Sequence, residues 1–105
     1  MSREPSPLPD PSTFASNVCP ASVSFETDIK PLFTGEDWGC MYTYSSEDDW
    51  NPVLDLRDYE SVKAWAANVN DAVSGGWMPQ DPKEGPWSAD KVNLFQCWIK
   101  LGCQP

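Results

Sequence analysis

Histidine is absent from this chain. That removes the commonest general base, the usual nitrogen ligand of zinc and the usual axial ligand of haem iron. Basic residues are scarce: seven Lys and Arg stand against sixteen Asp and Glu, a formal charge of −9. Nucleic-acid phosphates and anionic membranes both call for clustered Lys and Arg, so neither is an expected partner. The four cysteines, Cys19, Cys40, Cys97 and Cys103, include no C-x-x-C pair. A zinc knuckle and a thioredoxin-like motif are thereby excluded. No run is long and apolar enough to span a membrane. The first residues, Met-Ser-Arg-Glu-Pro-Ser-Pro, hold no apolar signal core. The expected compartment is the cytoplasm if Met1 is the native start, and periplasmic or secreted if a signal peptide has been removed.

What the chain does have is aromatic bulk. Six Trp, four Phe and three Tyr in 105 residues can make a small single-domain core sufficient. Two disulfides would suit such a domain, and four thiols allow three connectivities. The neighbourhood of the cysteines is acidic and supplies no base, so structural bridges are expected rather than a reactive thiolate. Carboxylates are plentiful, but no spacing pairs two of them across a cleft, and nothing points to a catalytic acid–base pair.

Five prolines, Pro5, Pro7, Pro9, Pro11 and Pro20, fall in the first twenty residues. Proline blocks helix and ladder hydrogen bonds, so residues 1–21 are expected to be an extended arm, a solvated tail unless Phe14 and Val18 dock it. The folded domain is then 22–105. In its first element, Val23 to Phe33, Ser24 or Thr27 can cap a short helix carrying Ile29, Leu32 and Phe33. Residues 36–53 read as loop. Their Glu47-Asp48-Asp49 run lacks the spacing and central glycine of an EF-hand and is expected to be a solvated acidic loop.

Asp58 is a candidate N-cap for a helix from Tyr59 to about Val73, where Tyr59, Val62, Ala66, Val69 and Val73 recur at helical spacing. Gly75-Gly76 should end it in a left-handed conformation. Ser88 should cap a last helix, with Asp90 near its positive end. Val92, Phe95 and Ile99 form its apolar face, and Gly102 stops it. No segment reads as a strand. The fold class is all-α, with three to four short helices and long loops.

Four segments in this order also resemble a known pattern: Phe25–Phe33, Leu54–Lys63, Gly-Gly-Trp-Met-Pro at 75–79, and Trp87–Ile99. The stretch from Phe25 to Gly102 is similar to the small cytochrome c-like domain of bacterial oxidoreductases. Members that bind haem carry C-x-x-C-H after the opening helix. Here that run is Asp37-Trp38-Gly39-Cys40-Met41, with Asp37 at the first thiol position and Met41 at the histidine. The resemblance is therefore to a haem-less member with no cofactor. It implies a non-catalytic accessory or docking module, a small subunit beside an oxidoreductase or metalloenzyme large subunit. Trp38, Trp50, Trp77 and Trp87 would ring the former haem edge as partner anchors. It also implies that the first segment and the end of the last helix lie together, so that Cys19 bridges Cys103. Two alternatives accompany this reading. Met41, Met78 and Cys40 form a soft donor set for copper or an unusual haem, against simple filling of the vacated cavity by methionine. Alternatively, Trp38-Gly39-Cys40 belongs to a crosslinked quinone-type subunit of an amine oxidoreductase.

Overall fold

A computed structural model describes residues 4–33, 35–51, 53–75 and 87–105 of the chain; within the first turns of its first α-helix, the side chains of residues 35–38 and 40 lie outside the description. Among the described residues four α-helices follow one another: α1 (Gly35–Glu47), α2 (Tyr59–Ala64), α3 (Ala66–Ser74) and α4 (Ala89–Lys100). Short turns precede them at Pro11–Phe14, Phe25–Ile29 and Lys30–Leu32. Among the described residues there is no strand, only an isolated parallel bridge between Ser24 and Gln104. The all-α expectation agrees with this.

The chain is assembled around α4. Ser88 caps it, its hydroxyl accepting from the Lys91 N–H at 3.3 Å, and Asp90 sits in the first turn where the helix dipole favours an anion. Phe95, Cys97, Trp98 and Ile99 are buried, and α3, the Pro11–Phe14 turn and the Phe25–Ile29 turn pack on the helix. Trp98 is the hub. Its ring lies 5.9 Å from Phe25, 6.4 Å from Tyr59 and 5.5 Å from Phe95, all in tilted or edge-on arrangements that suit aromatic quadrupoles. Its indole N–H donates to the Gln104 carbonyl at 2.8 Å, so the buried ring leaves no orphan donor. Burial of each such large apolar side chain stabilises the fold by about 1.5–3 kcal/mol relative to exposure.

The end of α4 is closed by backbone geometry. Gly102 adopts φ +97°, its N–H donates to the Ile99 carbonyl, and the Cys103 N–H reaches back to the Trp98 carbonyl at 2.8 Å. This is the paired closure of a Schellman motif, and glycine enters the left-handed region without a Cβ penalty. The reversal turns Cys103 into the core, where its carbonyl accepts from the Tyr59 hydroxyl at 2.6 Å. The chain end is then sewn to the opening turn by the Phe25 N–H donating to the Gln104 carbonyl.

That geometry corrects the expected bridge. Cys19 pairs with Cys97, not with Cys103, and Cys103 is a free, buried thiol. The reason is the path of the arm. It runs along the side of α4, where the Asn17 side-chain amide donates to Asn93 at 2.9 Å and to Gln96 at 2.8 Å, and so delivers Cys19 beside Cys97. Cys103 lies beyond the helix, past the Gly102 reversal. The arm is correspondingly more than a solvated tail: Phe14 is buried and the Ser6 N–H donates to Asn68, although Val18 remains open to solvent.

Ser24 caps the first element as expected, its hydroxyl accepting from Thr27 N–H while its own N–H donates to Asp28. The element is a five-residue π-helical turn passing into a 3-10 turn at Lys30, not one regular helix. Pro31 sits at the start of the second turn, where its missing N–H is tolerated. Asp58 caps α2 as expected, but the helical run breaks at Trp65 (φ −98°, ψ 14°), dividing Tyr59–Ser74 into α2 and α3. Gly75 ends α3 in a right-handed conformation, φ −83°, instead of the left-handed one expected, and Gly76 lies outside the described residues.

The largest correction concerns residues 36–53. Most of this stretch, read as loop, is α1, followed by a turn and an extended segment. The described side chains of the helix carry no continuous apolar stripe: Met41 and the fully buried Ser45 meet the core, and Tyr44 touches it only edge-on through Trp50. Hydrophobic periodicity therefore had nothing to report.

Candidate docking surface

The last turns of α1 rest on the core along a narrow line, through Met41 and Ser45, and leave their other side chains largely in water. Tyr42, Thr43, Tyr44, Ser46 and Glu47 are all exposed. Tyr42 is 49% exposed and Tyr44 57%, whereas the other described Phe, Trp and Tyr are buried or half-buried. Two positions apart on a helix, Tyr42 and Tyr44 stand on opposite flanks of the inward Met41–Ser45 line, with Thr43 outermost between them. Isolated exposed apolar side chains are ordinary, but a helix flanked by two exposed tyrosines in a protein that buries its other described aromatics marks a surface.

Ser45 holds this helix in place. Its hydroxyl donates to the Met41 carbonyl at 2.7 Å and accepts from the Leu54 N–H at 3.0 Å, tying the extended segment after α1 to the helix. Ser61 repeats the device one step on, donating to the Val53 carbonyl and accepting from the Asp55 N–H, both at 2.9 Å. Two buried hydroxyls thus satisfy backbone groups that no ladder satisfies. Behind α1, Tyr44 meets Trp50 edge-on at 5.9 Å, and Trp50 lies against Trp65 at 4.6 Å. The Trp50 indole N–H donates to the Asp48 carboxylate at 3.0 Å.

The surface is strongly one-signed. Between Pro31 and Leu56 the sequence has six acidic residues, Glu36, Asp37, Glu47, Asp48, Asp49 and Asp55, and no Lys or Arg. Glu47, Asp48 and Asp49 crowd the C-terminal end of α1, where the helix dipole disfavours negative charge. Asp49 also carries φ +54°, a left-handed conformation at a residue with a Cβ. At the far edge, burial pushes the Asp55 carboxyl up, but the N–H and guanidinium of Arg57 outweigh it and hold the group below its ordinary value.

The residues nominated from sequence distribute unevenly. Trp50 and Trp87 are each only 8% exposed and belong to the core, so neither offers a partner more than an edge. Trp77 and Met78 lie outside the described residues, as do the side chains of Trp38 and Cys40. Met41 is half-buried and packs against the core. Cys19 and Cys97 form the bridge, while burial pushes the Cys103 thiol up to about 11, an unreactive state at neutral pH. Tyr42 and Tyr44 were missed, because loop and helix readings place the same tyrosines on different surfaces. The available signal was two tyrosines outside any apolar stripe, within an acidic stretch lacking cations.

Among the described residues, no group of three or more His, Cys, Asp or Glu is arranged to hold a metal ion, and no helix is long and apolar enough to cross a membrane. No protein-family model matches the chain, and no curated protein or solved structure matches it.

Proposed function

We propose that this chain is a non-catalytic docking module whose partner is a protein with a basic surface, and that α1 is the docking element. The observation that carries this reading is the exposure of Tyr42 and Tyr44 on the last turns of a helix whose described side chains make little core contact, in a chain that buries its other described aromatics. Tyrosine supplies a large rigid contact area and a polar tip at a small entropic cost. The acidic residues around it favour a Lys- or Arg-bearing partner and would steer its approach. Local rules broken at the end of α1, in charge and in backbone, are what a surface selected for binding tolerates.

The four sequence segments support a haem-less, cytochrome c-like ancestry, and with it a place as accessory subunit beside an oxidoreductase. The Cys19–Cys97 bridge supports an oxidising compartment, where such bonds persist.

A photo-crosslinking amino acid at Thr43, in the full chain produced in its native cells, tests the docking face. A dominant adduct to one protein is expected, absent when the same group replaces Glu60 on α2. The adduct should disappear with Tyr42→Ala plus Tyr44→Ala and weaken as salt is raised. Equal crosslinking from both positions, or an adduct indifferent to loss of the tyrosines, overturns the reading.

A further inference from the structure

The arm is joined to the rest of the fold by side chains and by one covalent bond. Among the described residues, the backbone-to-backbone hydrogen bonds of 4–22 stay within the arm: the N–H groups of Thr13, Ala15 and Asn17 donate to the carbonyls of Asp10, Ser12 and Phe14. Phe14 is the one described residue of the arm that is buried. Its polar ties run from Ser6 to the Asn68 side chain, from Asn17 to Asn93 and Gln96, and from the Asn93 amide to the Val18 carbonyl. All of these are at least partly open to solvent.

Ordering one residue's backbone costs at least as much as one such hydrogen bond returns, and the arm has more residues than ties. Its prolines reduce that cost without removing it. The Cys19–Cys97 bond therefore decides whether the arm stays on α4. Without it, the nearest fixed point is the buried Val23, beyond the exposed residues 20–22.

The two halves of the bridge are placed unequally. Cys97 is fully buried, whereas Cys19 is half-buried between exposed Val18 and exposed Pro20. Disulfides open to solvent are the ones that exchange with thiols. The free Cys103 is buried, and burial pushes its thiol up to about 11, so it does not supply the attacking thiolate at neutral pH.

We propose that the Cys19–Cys97 bond is a redox latch: a small thiol reductant opens it in the folded protein, the arm leaves α4, and the helix flank bearing Asn93 and Gln96 is uncovered. The thiolate of the reductant attacks the Cys19 sulfur. The S–S bond breaks, its electron pair goes to the Cys97 sulfur, and that sulfur takes up a proton. A second reductant thiolate then displaces the Cys19 sulfur from the mixed disulfide, and Cys19 is protonated in turn. Two thiols are oxidised to one disulfide as the bridge gains two electrons and two protons.

The test follows the full-length protein, labelled with 15N, before and after incubation with excess reduced glutathione and no denaturant. Mass mapping of alkylated peptides reports the state of the bridge. The bridge is expected to open, and order parameters over residues 11–19 to fall from about 0.85 to below about 0.6. The Trp98 indole signal, held by the Gln104 carbonyl, should stay in its folded position. Cys19→Ser should show the mobile arm with and without glutathione. A bridge that opens only in denaturant overturns the latch, as does an arm that stays ordered in the reduced protein or in Cys19→Ser. Loss of the Trp98 signal together with the arm also overturns it, and makes the bond a staple of the whole fold.

Discussion

α1 and α4 end in the same way and for opposite reasons. In both, a left-handed residue lets the next N–H reach back five residues: Cys103 to the Trp98 carbonyl after α4, and Trp50 to the Ser45 carbonyl after α1. α4 has Gly102 in the left-handed position and Lys100 in the last turn, as local rules favour, and the one strained residue there is the following Cys103, at φ +53°. α1 places Asp49 there and surrounds it with Glu47 and Asp48. The end of α4 is thus favoured by its own residues. The end of α1 is held from outside, by the Ser45 clamp and by Trp50 packed on Trp65. The end of α1 is thus kept in a locally unfavourable form with both tyrosines about half exposed, the feature on which the proposed docking role rests.

The comparison can be broken most severely on the α4 side. Cys19→Ser opens a bridge that spans 78 residues of sequence, and should lower unfolding free energy by roughly 4–5 kcal/mol on the chain-entropy model, read by urea denaturation. Ser45→Ala should come next. Removing the hydroxyl leaves the buried Leu54 N–H unpaired, at about 1–3 kcal/mol, and hydrogen exchange should accelerate in α1 and at Leu54 before it does in α4. Gly102→Ala should destabilise by about 1–2 kcal/mol through the left-handed conformation.

The opposite sign is expected at the end of α1. Glu47→Lys should stabilise the protein by about 0.3–1 kcal/mol, by relieving the dipole and the acidic crowding, while weakening capture of a basic partner. A destabilising Glu47→Lys would remove the contrast drawn between the two helices.

The smallest effect belongs to Asp55. Its folded value lies below the ordinary 3.8, so its contribution is present above that pH and fades as pH falls through the folded value. Asp55→Asn should therefore be less stable than the wild type at pH 7, with the gap closing in acid below pH 3.8. A gap that stayed constant with pH would assign the effect to packing and not to the carboxylate.

Legibility in the sequence followed how local each signal was. The caps at Ser24, Asp58 and Ser88 and the stop at Gly102 were readable because a side-chain oxygen or a missing Cβ acts within a few residues. α1 was not, because the burial of its described side chains rests on Met41 and one hydroxyl, Ser45, whose importance depends on Leu54 arriving beside it. For the candidate docking face the acidic character was legible, since charge is additive along a chain. The tyrosines' exposure was not, since exposure depends on which face the helix turns inward.

The sequence by itself determined an aromatic-rich helical domain, strongly acidic and without histidine, with its helix ends at particular polar residues and glycines. Tertiary structure alone decided which cysteine Cys19 would find. Four thiols are chemically alike along a chain; the packing of the Pro11–Phe14 turn on α4 and the contacts of Asn17 and Val18 with Asn93 and Gln96 set the arm beside Cys97, while the Gly102 reversal turns Cys103 into the core. Tertiary structure also decided that Trp50 and Trp87 serve the interior while Tyr42 and Tyr44 meet solvent. The large apolar area of an indole favours burial wherever packing allows it, and the inward line of Met41 and Ser45 left Tyr42 and Tyr44 on the flanks of α1, with Tyr44 only edge-on to Trp50.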